Sequence, residues 1–494
     1  MFTMIRRTPS LPLFLITLAS LVALLVTPVI ARAQSTSDEV DQLKKMVRDL
    51  QSRVATLEQQ SEKANIQSTP TGLNGPDAAA ALAAATSELK RATLTQAAVT
   101  PSGASETGTA TPATQPLPAN LPGGATLNYM LDGYYEYNFN QPSGRVNDLR
   151  AYDVLSNAFS INQADIVFAL DPNVAAGRRY GFRVDLQFGQ ATETSQGNPA
   201  NEPRPDIYRN IFQVYGTYVV PLGGGLNIDI GKWASSLGAE GNFTKDQINY
   251  TRSFYFYFLP FYHAGVRTAY HVNDKIQLNY WVVNGTNQQE PTNGYKDELF
   301  GYVLQPTKAL TWTTNYYLGQ DHPDSTPATN CPAPVQPGLC LAPISPAPNG
   351  KLHIFDTYAT WQVRPKLTLQ GEADYVIQRE WANAAPGESS APSHVDGGAA
   401  YAQYQISPRI SVAARVEYLS DRGGLFSQTT QALKEATSTY EYKFGEGFDG
   451  FLEFRRDWSN RPSFQTNQAG APSNHQNTAA VGLVWWYGGK QGAW

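Results

Sequence analysis

From about Asn128 to its end, the chain alternates short apolar-polar segments with gaps that are, in strict turn, very short and long. The short gaps are 221–225, 273–275, 306–309, 364–366, 407–409 and 445–448. The long connections are 140–158, 190–209, 232–262, 285–298, 319–350, 379–394, 420–436 and 459–477. Antiparallel strands that are joined tightly at one end and loosely at the other are typical of outer-membrane β-barrels. The pattern therefore predicts an all-β transmembrane fold, an antiparallel barrel of about 16 strands, over residues 127–494.

Nine segments show the clearest strand pattern. They are 129–138, 159–170, 181–188, 211–220, 276–284, 310–318, 367–378, 410–418 and 479–487. Within 181–188, Phe182 and Val184 alternate with Arg183 and Asp185, and a period of two places these pairs on opposite faces of a sheet. About ten residues at about 3.3 Å each, tilted by about 40°, rise about 25 Å, the height of an apolar barrel band.

Soluble sandwiches and propellers show the same alternation, so they are the main alternative fold. The composition favours the membrane barrel, because 27 Tyr, 21 Phe and 9 Trp stand beside only 16% charged residues. Barrels place such aromatic residues in girdles at both membrane interfaces. The alternating connections and the absence of a blade-length repeat also argue against a soluble fold.

The N-terminus predicts export. Arg6 and Arg7 precede an apolar run over 11–30, and the sequence Ala-Arg-Ala at 31–33 has the form of a cleavage site. We expect residues 1–33 to be a signal peptide. An uncleaved inner-membrane anchor is the alternative, because the run is long for a signal peptide.

Residues 34–64 predict a short α-helical coiled coil in the periplasm, with a lone solvated helix as the alternative. The a and d positions are Val40, Leu43, Val47, Leu50, Val54 and Leu57. Valine at a with leucine at d favours a parallel dimer. Residues 65–126 are rich in Ala, Thr, Pro, Ser and Gly, which predicts a disordered linker.

The two cysteines, Cys331 and Cys340, lie in one Pro-rich connection. In an oxidising compartment such neighbours form a disulfide more readily than a metal site, which would need further ligands. We therefore expect a disulfide that closes this loop.

The connection 232–262 is the third long one. Its segment 253–262, SFYFYFLPFY, is too apolar for external water, which indicates a loop folded into the barrel; the alternative is the start of the sixth strand with an interface girdle. If the loop folds in, its charged residues face the aperture as a pore constriction. These are Glu240, Lys245, Asp246 and Arg252.

Parity along the strands places further charged residues inside the barrel. The acids are Asp132, Glu136, Asp165, Asp185, Glu372, Asp374, Glu417 and Glu453, and the bases are Arg183, Arg267, Arg415 and Arg455, with His271 on the face of Arg267. The mild acidic excess predicts weak cation preference. Compensating pairs that only solvate the wall are the alternative.

Four segments carry a family resemblance. They are GKW at 231–233, NYTRS at 249–253, PFYHAGVR at 260–267 and NDKIQLNYWVVNG at 273–285. They resemble the family of β-barrel porins described as OmpL-like. The resemblance implies an outer-membrane channel for passive diffusion of small hydrophilic solutes and ions in a Gram-negative-type bacterium. Porin barrels are commonly trimers, so we expect a homo-oligomer in outer-membrane lipid, a trimer in preference to a dimer.

Other functions have less support in the sequence. The six histidines are scattered, and no phosphate loop, His/Cys cluster or nucleic-acid pattern occurs. We expect no enzymatic activity, no cofactor, no metal and no nucleic-acid partner. A structural alternative is an outer-membrane anchor whose coiled coil tethers the membrane to the cell wall.

Overall fold

A computed structural model describes residues 121–196, 202, 204–327, 341–345, 350–379, 391–445, 447–490 and 494. The predicted signal peptide, coiled coil and most of the linker lie outside the described residues, and so do Cys331 and Cys340. Among the described residues, no helix is both long enough and apolar enough to cross a membrane.

The described chain is dominated by antiparallel strands. In chain order they are β1 (Thr126–Asn138), β2 (Ala158–Leu170), β3 (Tyr180–Phe188), β4 (Ile211–Val220), β5 (Leu226–Ala234), β6 (Tyr262–Asn273), β7 (Ile276–Val283), β8 (Asp297–Thr307), β9 (Leu310–Gly319), β10 (Ser325–Pro327), β11 (Leu341–Pro343), β12 (Leu352–Arg364), β13 (Leu367–Gln378), β14 (Ser393–Ser407), β15 (Ile410–Arg422), β16 (Gln431–Gly445), β17 (Phe448–Ser459) and β18 (His475–Gly488). The helices are short: α1 (Gln190–Gln196), α2 (Pro205–Tyr208) and α3 (Phe254–Phe258), with 3-10 turns at Pro122–Gly124, Val174–Ala176 and Thr244–Asp246.

All strands except β10 and β11 form one closed barrel, which confirms the predicted sixteen. Within the barrel, consecutive strands pair in chain order, with β9 paired to β12 because β10 and β11 lie outside the barrel. Strand β18 pairs with β1 and closes the barrel. The closing register runs from Asn128 opposite Gly488 to Asn138 opposite Thr478. Closure satisfies the backbone groups that an open sheet edge would leave without partners. The short strands β10 and β11 pair only with each other.

The barrel is apolar outside and polar inside. On β15, Val416 is 55% exposed while the neighbouring Arg415 is 0% exposed, and on β17 Leu452 is 55% exposed while Glu453 is 5% exposed. A water-soluble protein shows the opposite distribution. Strands with an apolar outer face and a polar inner face are what a lipid-embedded barrel requires.

All nine predicted segments are strands, and their bounds agree to within a few residues. The connections that were predicted too long include 232–262, 420–436 and 459–477. Strand β15 continues to Arg422 and β16 already begins at Gln431, and these ends pair through Asp421 opposite Gln431. The exposed Lys434 on β16 explains the error, because an outer face that turns polar removes the apolar alternation.

Turns of a few residues join strands at one end of the barrel, which we call the short-turn end. The opposite end, which carries the longer connections, is the long-loop end. This division confirms the predicted alternation. The connection between β2 and β3 is the longest at the short-turn end and contains the 3-10 turn Val174–Ala176.

Candidate functional site

The connection between β5 and β6, residues 235–261, lies inside the barrel, and we call it the inner loop. Its Tyr250 hydroxyl donates to Asp132 of β1 at 2.6 Å. Its Gly238 N–H donates to Asp356 of β12 at 3.1 Å. Inward side chains on such separated strands reach one loop only if it crosses the interior. Of the two interpretations of segment 253–262, the folded-in loop agrees with the structure, and β6 begins only at Tyr262.

Wall carboxylates hold the inner loop by its backbone. Glu453 accepts the Tyr250 N–H at 2.8 Å and the Thr251 N–H at 3.0 Å. Glu417 accepts the Phe254 N–H at 2.8 Å and the Tyr255 N–H at 2.9 Å. Buried backbone N–H groups need such acceptors. At α3 the acceptor also meets the N–H groups that a helix start leaves without intrahelical partners.

Two further carboxylates hold the start of the loop. Asp356 accepts the Gly238 N–H, and Glu372 accepts the Ala239 N–H at 3.0 Å. We call Asp356, Glu372, Glu417 and Glu453 the loop anchors. The four residues lie on four different strands, β12, β13, β15 and β17. The loop is therefore bound along its length and not at one point.

Arginines of the same wall complete the attachment. Arg415 pairs with Glu240 of the loop at 2.8 Å and with Glu435 of β16 at 2.9 Å. It also donates to the Thr251 carbonyl at 2.6 Å. Arg455 pairs with Asp457 at 2.7 Å. These arginines balance part of the negative charge of this wall, which lowers the cost of burying it.

The four predicted constriction residues do not form one ring. Glu240 is bound to Arg415, as described above. Arg252 is 1% exposed and donates to the loop carbonyls of Gly241, Asn242 and Tyr250 at 3.0, 2.9 and 2.8 Å. In this arrangement the guanidinium ties the loop to itself and does not face open space.

The other two lie together on the turn Thr244–Asp246. Lys245 Nζ is 2.7 Å from Asp246 Oδ1, and the Asp246 side chain is 19% accessible. Burial lowers the pKa of the Lys245 ammonium, although Asp246 acts in the opposite direction. Lys245 Nζ also lies 4.4 Å from the ring centroid of Trp494, so the C-terminal residue reaches the turn of the inner loop.

The predicted lumen residues lie on inward faces. Arg183 and Asp185 of β3 form an ion pair at 2.8 Å. On β6, Arg267 pairs with Asp229 at 2.7 Å, and His271 is half-buried on the same face toward the short-turn end. The other four lie on the wall between β12 and β17, which holds the inner loop. They are Glu372, Asp374, Arg415 and Glu417.

The wall from β4 to β9 differs in chemistry, and we call it the aromatic wall. Arg267 lies 4.8 Å from the ring centroid of Tyr215 and 5.1 Å from that of Trp233. The His263 ring contacts Trp281 edge-on at 5.6 Å and Tyr317 in a tilted arrangement at 5.3 Å, measured between ring centroids. Cation-π and aromatic contacts hold this side together.

A cavity of about 620 Å³ opens above the inner loop at the long-loop end. Its lining includes Ser195, Phe258, Tyr262, Asp321, Leu352 and Gln378. The lining mixes aromatic and polar side chains, and we call this cavity the vestibule.

Asp356 and Arg150 are among the interior residues that were not predicted. Asp356 lies on β12, whose alternation of outward Phe355 and Trp361 with inward Ile354 and Asp356 is present in the sequence. Arg150 lies in the connection between β1 and β2 and pairs with Asp457 at 2.8 Å. Periodicity gives no signal for Arg150, because the residue belongs to a loop.

Comparison with solved structures finds similar barrels. The outer-membrane channel DcaP of Acinetobacter baumannii has a TM-score of 0.48 at 11% identity, covering 74% of this chain and 99% of that chain. The anion-selective porin from Comamonas acidovorans gives 0.46 at 7%, with the same coverage. OmpT of Vibrio cholerae gives 0.44 at 9%, covering 74% and 97%. Because these TM-scores are below 0.5, the similarities do not indicate the function of this chain. No curated protein matches the chain.

A family model matches residues 124–485, from just before β1 to within β18. The match therefore covers the closed barrel and its inner loop, and it confirms the resemblance drawn from residues 231–285. The family is described as "Putative beta-barrel porin-2, OmpL-like", and the chain belongs to it.

Proposed function

We propose that the protein is an outer-membrane porin, a water-filled channel for passive diffusion of small hydrophilic solutes and ions. One observation carries the proposal: a closed sixteen-strand barrel whose strands are apolar outside and charged inside. A barrel of this size is too wide for side chains from the wall alone to fill. Solutes move down their gradient, so the process needs no cofactor.

The inner loop sets the size limit in this proposal. It crosses the interior, and the loop anchors hold it by backbone N–H groups. Such a loop narrows the passage with little freedom to move, because displacing it would leave buried donors and acceptors without partners. Solutes would pass from the vestibule beside the loop toward the short-turn end.

Charge sets the ion preference. We propose that Glu240, Lys245, Asp246 and Arg252 line or shape the narrowest part, with the partly accessible Asp246 the member that meets passing ions directly. The lumen residues Arg183, Asp185, Arg267, His271, Glu372, Asp374, Arg415 and Glu417 would set the field around it. Both acidic and basic groups face the interior, so we expect weak preference for cations and no strict exclusion of anions.

We also propose that the barrel works in the outer membrane of a Gram-negative-type bacterium, with residues 34–64 in the periplasm. A homo-oligomer, a trimer in preference to a dimer, suits the porin family. The anchor alternative depends on residues 34–64, which lie outside the described residues. No feature of the barrel favours it, because an anchor has no use for a charged interior with a bound inner loop.

Proteoliposome swelling tests the channel function. Purified protein should let a panel of sugars enter at rates that fall steeply with sugar size, while empty liposomes stay closed. A shift in gel mobility on heating should verify in the same sample that the barrel is folded. Folded barrels that do not admit even a monosaccharide would contradict the proposal.

A further inference from the structure

Three carboxylates of the barrel wall converge beneath the start of the inner loop. Asp356 lies on β12, and Glu372 and Asp374 lie on β13. All three are buried, and one oxygen from each lies within 4.8 Å of the others. Among the described residues, no Lys or Arg forms a salt bridge with any of the three.

Asp374 is the most unusual of the three. It is 5% exposed, and neither of its carboxylate oxygens has a hydrogen-bond partner. Across the sheet it faces Asp356 on one side and Gly397, which has no side chain, on the other. A hydrogen bond between the carboxyl groups of Asp374 and Asp356 would require a proton on one of them. A buried carboxylate without a partner is costly, so this side chain points to a missing positive group.

The other two carboxylates are partly satisfied and well positioned. Asp356 accepts from the Gly238 N–H and from Asn315 Nδ2, at 3.1 and 2.8 Å. Glu372 accepts from the Ala239 N–H at 3.0 Å and from the Tyr401 hydroxyl at 3.3 Å. These bonds fix both carboxylates in place while leaving lone pairs free for a cation.

We propose that Asp356, Glu372 and Asp374 bind a divalent cation, with Ca²⁺ as the fitting ion. Carboxylate oxygens are the ligands that such hard cations prefer, and Ca²⁺ binds oxygen at about 2.3–2.6 Å. Ca²⁺ accepts about six to eight oxygen ligands in flexible geometry, whereas Mg²⁺ usually keeps several waters and is bound through only about one or two carboxylates. Three buried carboxylates in one place therefore favour Ca²⁺.

The position of the site gives it a consequence for the inner loop. Asp356 and Glu372 are also loop anchors, so a cation that holds both would fix the backbone at Gly238 and Ala239. The site does not depend on transport, because binding to the folded barrel can be measured without any solute flux.

Terbium luminescence tests the site, since Tb³⁺ replaces Ca²⁺ and is sensitised by a nearby tyrosine. Tyr401 bonds directly to Glu372, which places such a donor beside the cluster. Detergent-purified full-length protein, first treated with EDTA, should give saturable luminescence on excitation of tyrosine. Ca²⁺ should displace the signal at concentrations at least tenfold lower than Mg²⁺.

Two variants make the test specific. Asp374→Asn should weaken Tb³⁺ binding at least tenfold, and it removes no hydrogen bond. Asp165→Asn is the matched control, because Asp165 of β2 is also buried with both carboxylate oxygens unpartnered but lies outside the cluster. The control should bind as the wild type does.

The proposal fails if wild-type protein shows no saturable binding, if Asp374→Asn binds like wild type, or if Asp165→Asn loses binding equally. Should Asp374→Asn not fold, as judged by heat-modified gel mobility, Glu372→Gln decides by the same criteria. If Glu372→Gln binds Tb³⁺ as tightly as the wild-type protein does, the proposal is also wrong.

Discussion

The two walls of the barrel share one strand pattern but differ in what they do with their inward side chains. The wall from β12 to β17 carries the loop anchors together with Arg415 and Arg455, and its charged side chains bind the inner loop. On the aromatic wall, Arg267 pairs with Asp229 among aromatic rings. This wall reaches the inner loop through neutral groups, with Asn315 of β9 donating to the Ser236 carbonyl at 3.0 Å. The same alternation therefore builds a wall whose carboxylates bind the loop backbone on one side, and on the other a wall whose charged pair of Arg267 and Asp229 is not used for that purpose. Ion passage is expected along the second.

The largest expected effect comes from removing two loop anchors together. In Glu417→Ala/Glu453→Ala, four backbone N–H groups of the inner loop lose their acceptors, at about 1–3 kcal/mol each. The loop should detach, and single-channel conductance and protease cleavage within 235–261 should both rise. Asp229→Ala on the aromatic wall removes an inward acid that does not contact the loop, so it should change neither protease cleavage nor loop position. Equal behaviour of the two variants would erase the distinction between the walls.

Arg252 comes next in size. Arg252→Lys keeps the charge but loses the planar fork that reaches the carbonyls of Gly241, Asn242 and Tyr250, and hydrogen bonds to charged groups contribute about 1.5–3 kcal/mol. We expect an intact barrel with noisier open-channel current, because the loop is looser but still bound to the wall.

The exposed Arg409 at the short-turn end provides a matched control. Arg409→Lys should leave the current noise unchanged. If Arg252→Lys is also as quiet as wild type, the loop does not depend on this guanidinium.

The aromatic wall predicts a smaller, signed effect on ion selectivity. Arg267→Gln leaves Asp229 in place and should shift the reversal potential in a salt gradient toward cations. Asp229→Asn leaves Arg267 and should shift it toward anions. The pair is partly exposed, with side chains 23% and 13% accessible, so solvent screening keeps both shifts modest. Shifts of the same sign in both variants would show that ions do not pass this wall.

Phe258 predicts the smallest effect. Its ring centroid is 5.5 Å from that of Phe426, a contact that contributes about 0.5–1.5 kcal/mol, and it lines the vestibule. Phe258→Ala should raise conductance slightly by widening the vestibule. Phe159→Ala, at a position 89% exposed on the outer face, should leave conductance unchanged. A larger change from Phe159→Ala would mean that the two faces of the barrel are assigned the wrong way round.

Local periodicity was enough to predict most of the wall. Turn residues bound Ile211–Val220 and Leu367–Gln378, and the second segment alternates over most of its length, so both strands were predicted to the residue. The inward direction of Arg183 or Glu417 follows from the same parity. Prediction failed where the outer face turns polar, as at Lys434, because alternation then carries no signal.

The attachment of the inner loop could not be predicted in the same way. Tyr250 and Glu453 are 203 positions apart in sequence, and Glu240 and Arg415 are 175 apart. Which wall residue meets which loop residue depends on the path of the loop, and composition showed only that segment 253–262 avoids external water. The sequence therefore predicted Arg252 as an aperture residue, while the folded loop uses its guanidinium internally.

The cluster of Asp356, Glu372 and Asp374 shows the same limit. Glu372 and Asp374 were predicted to face the interior, but Asp356 was not, because β12 was not among the clearest strands. Two carboxylates two residues apart on one strand are common on a polar face. The third carboxylate, from the neighbouring strand, turns the pair into a candidate cation site.

Single-channel recording in planar bilayers tests the central claim most directly. Purified full-length protein, shown to be folded by its heat-modified gel mobility, should insert in discrete steps whose conductance rises in proportion to salt concentration. The reversal potential in a salt gradient should show weak cation preference. Folded protein that inserts into the bilayer without conductance steps at any salt concentration would contradict a water-filled interior.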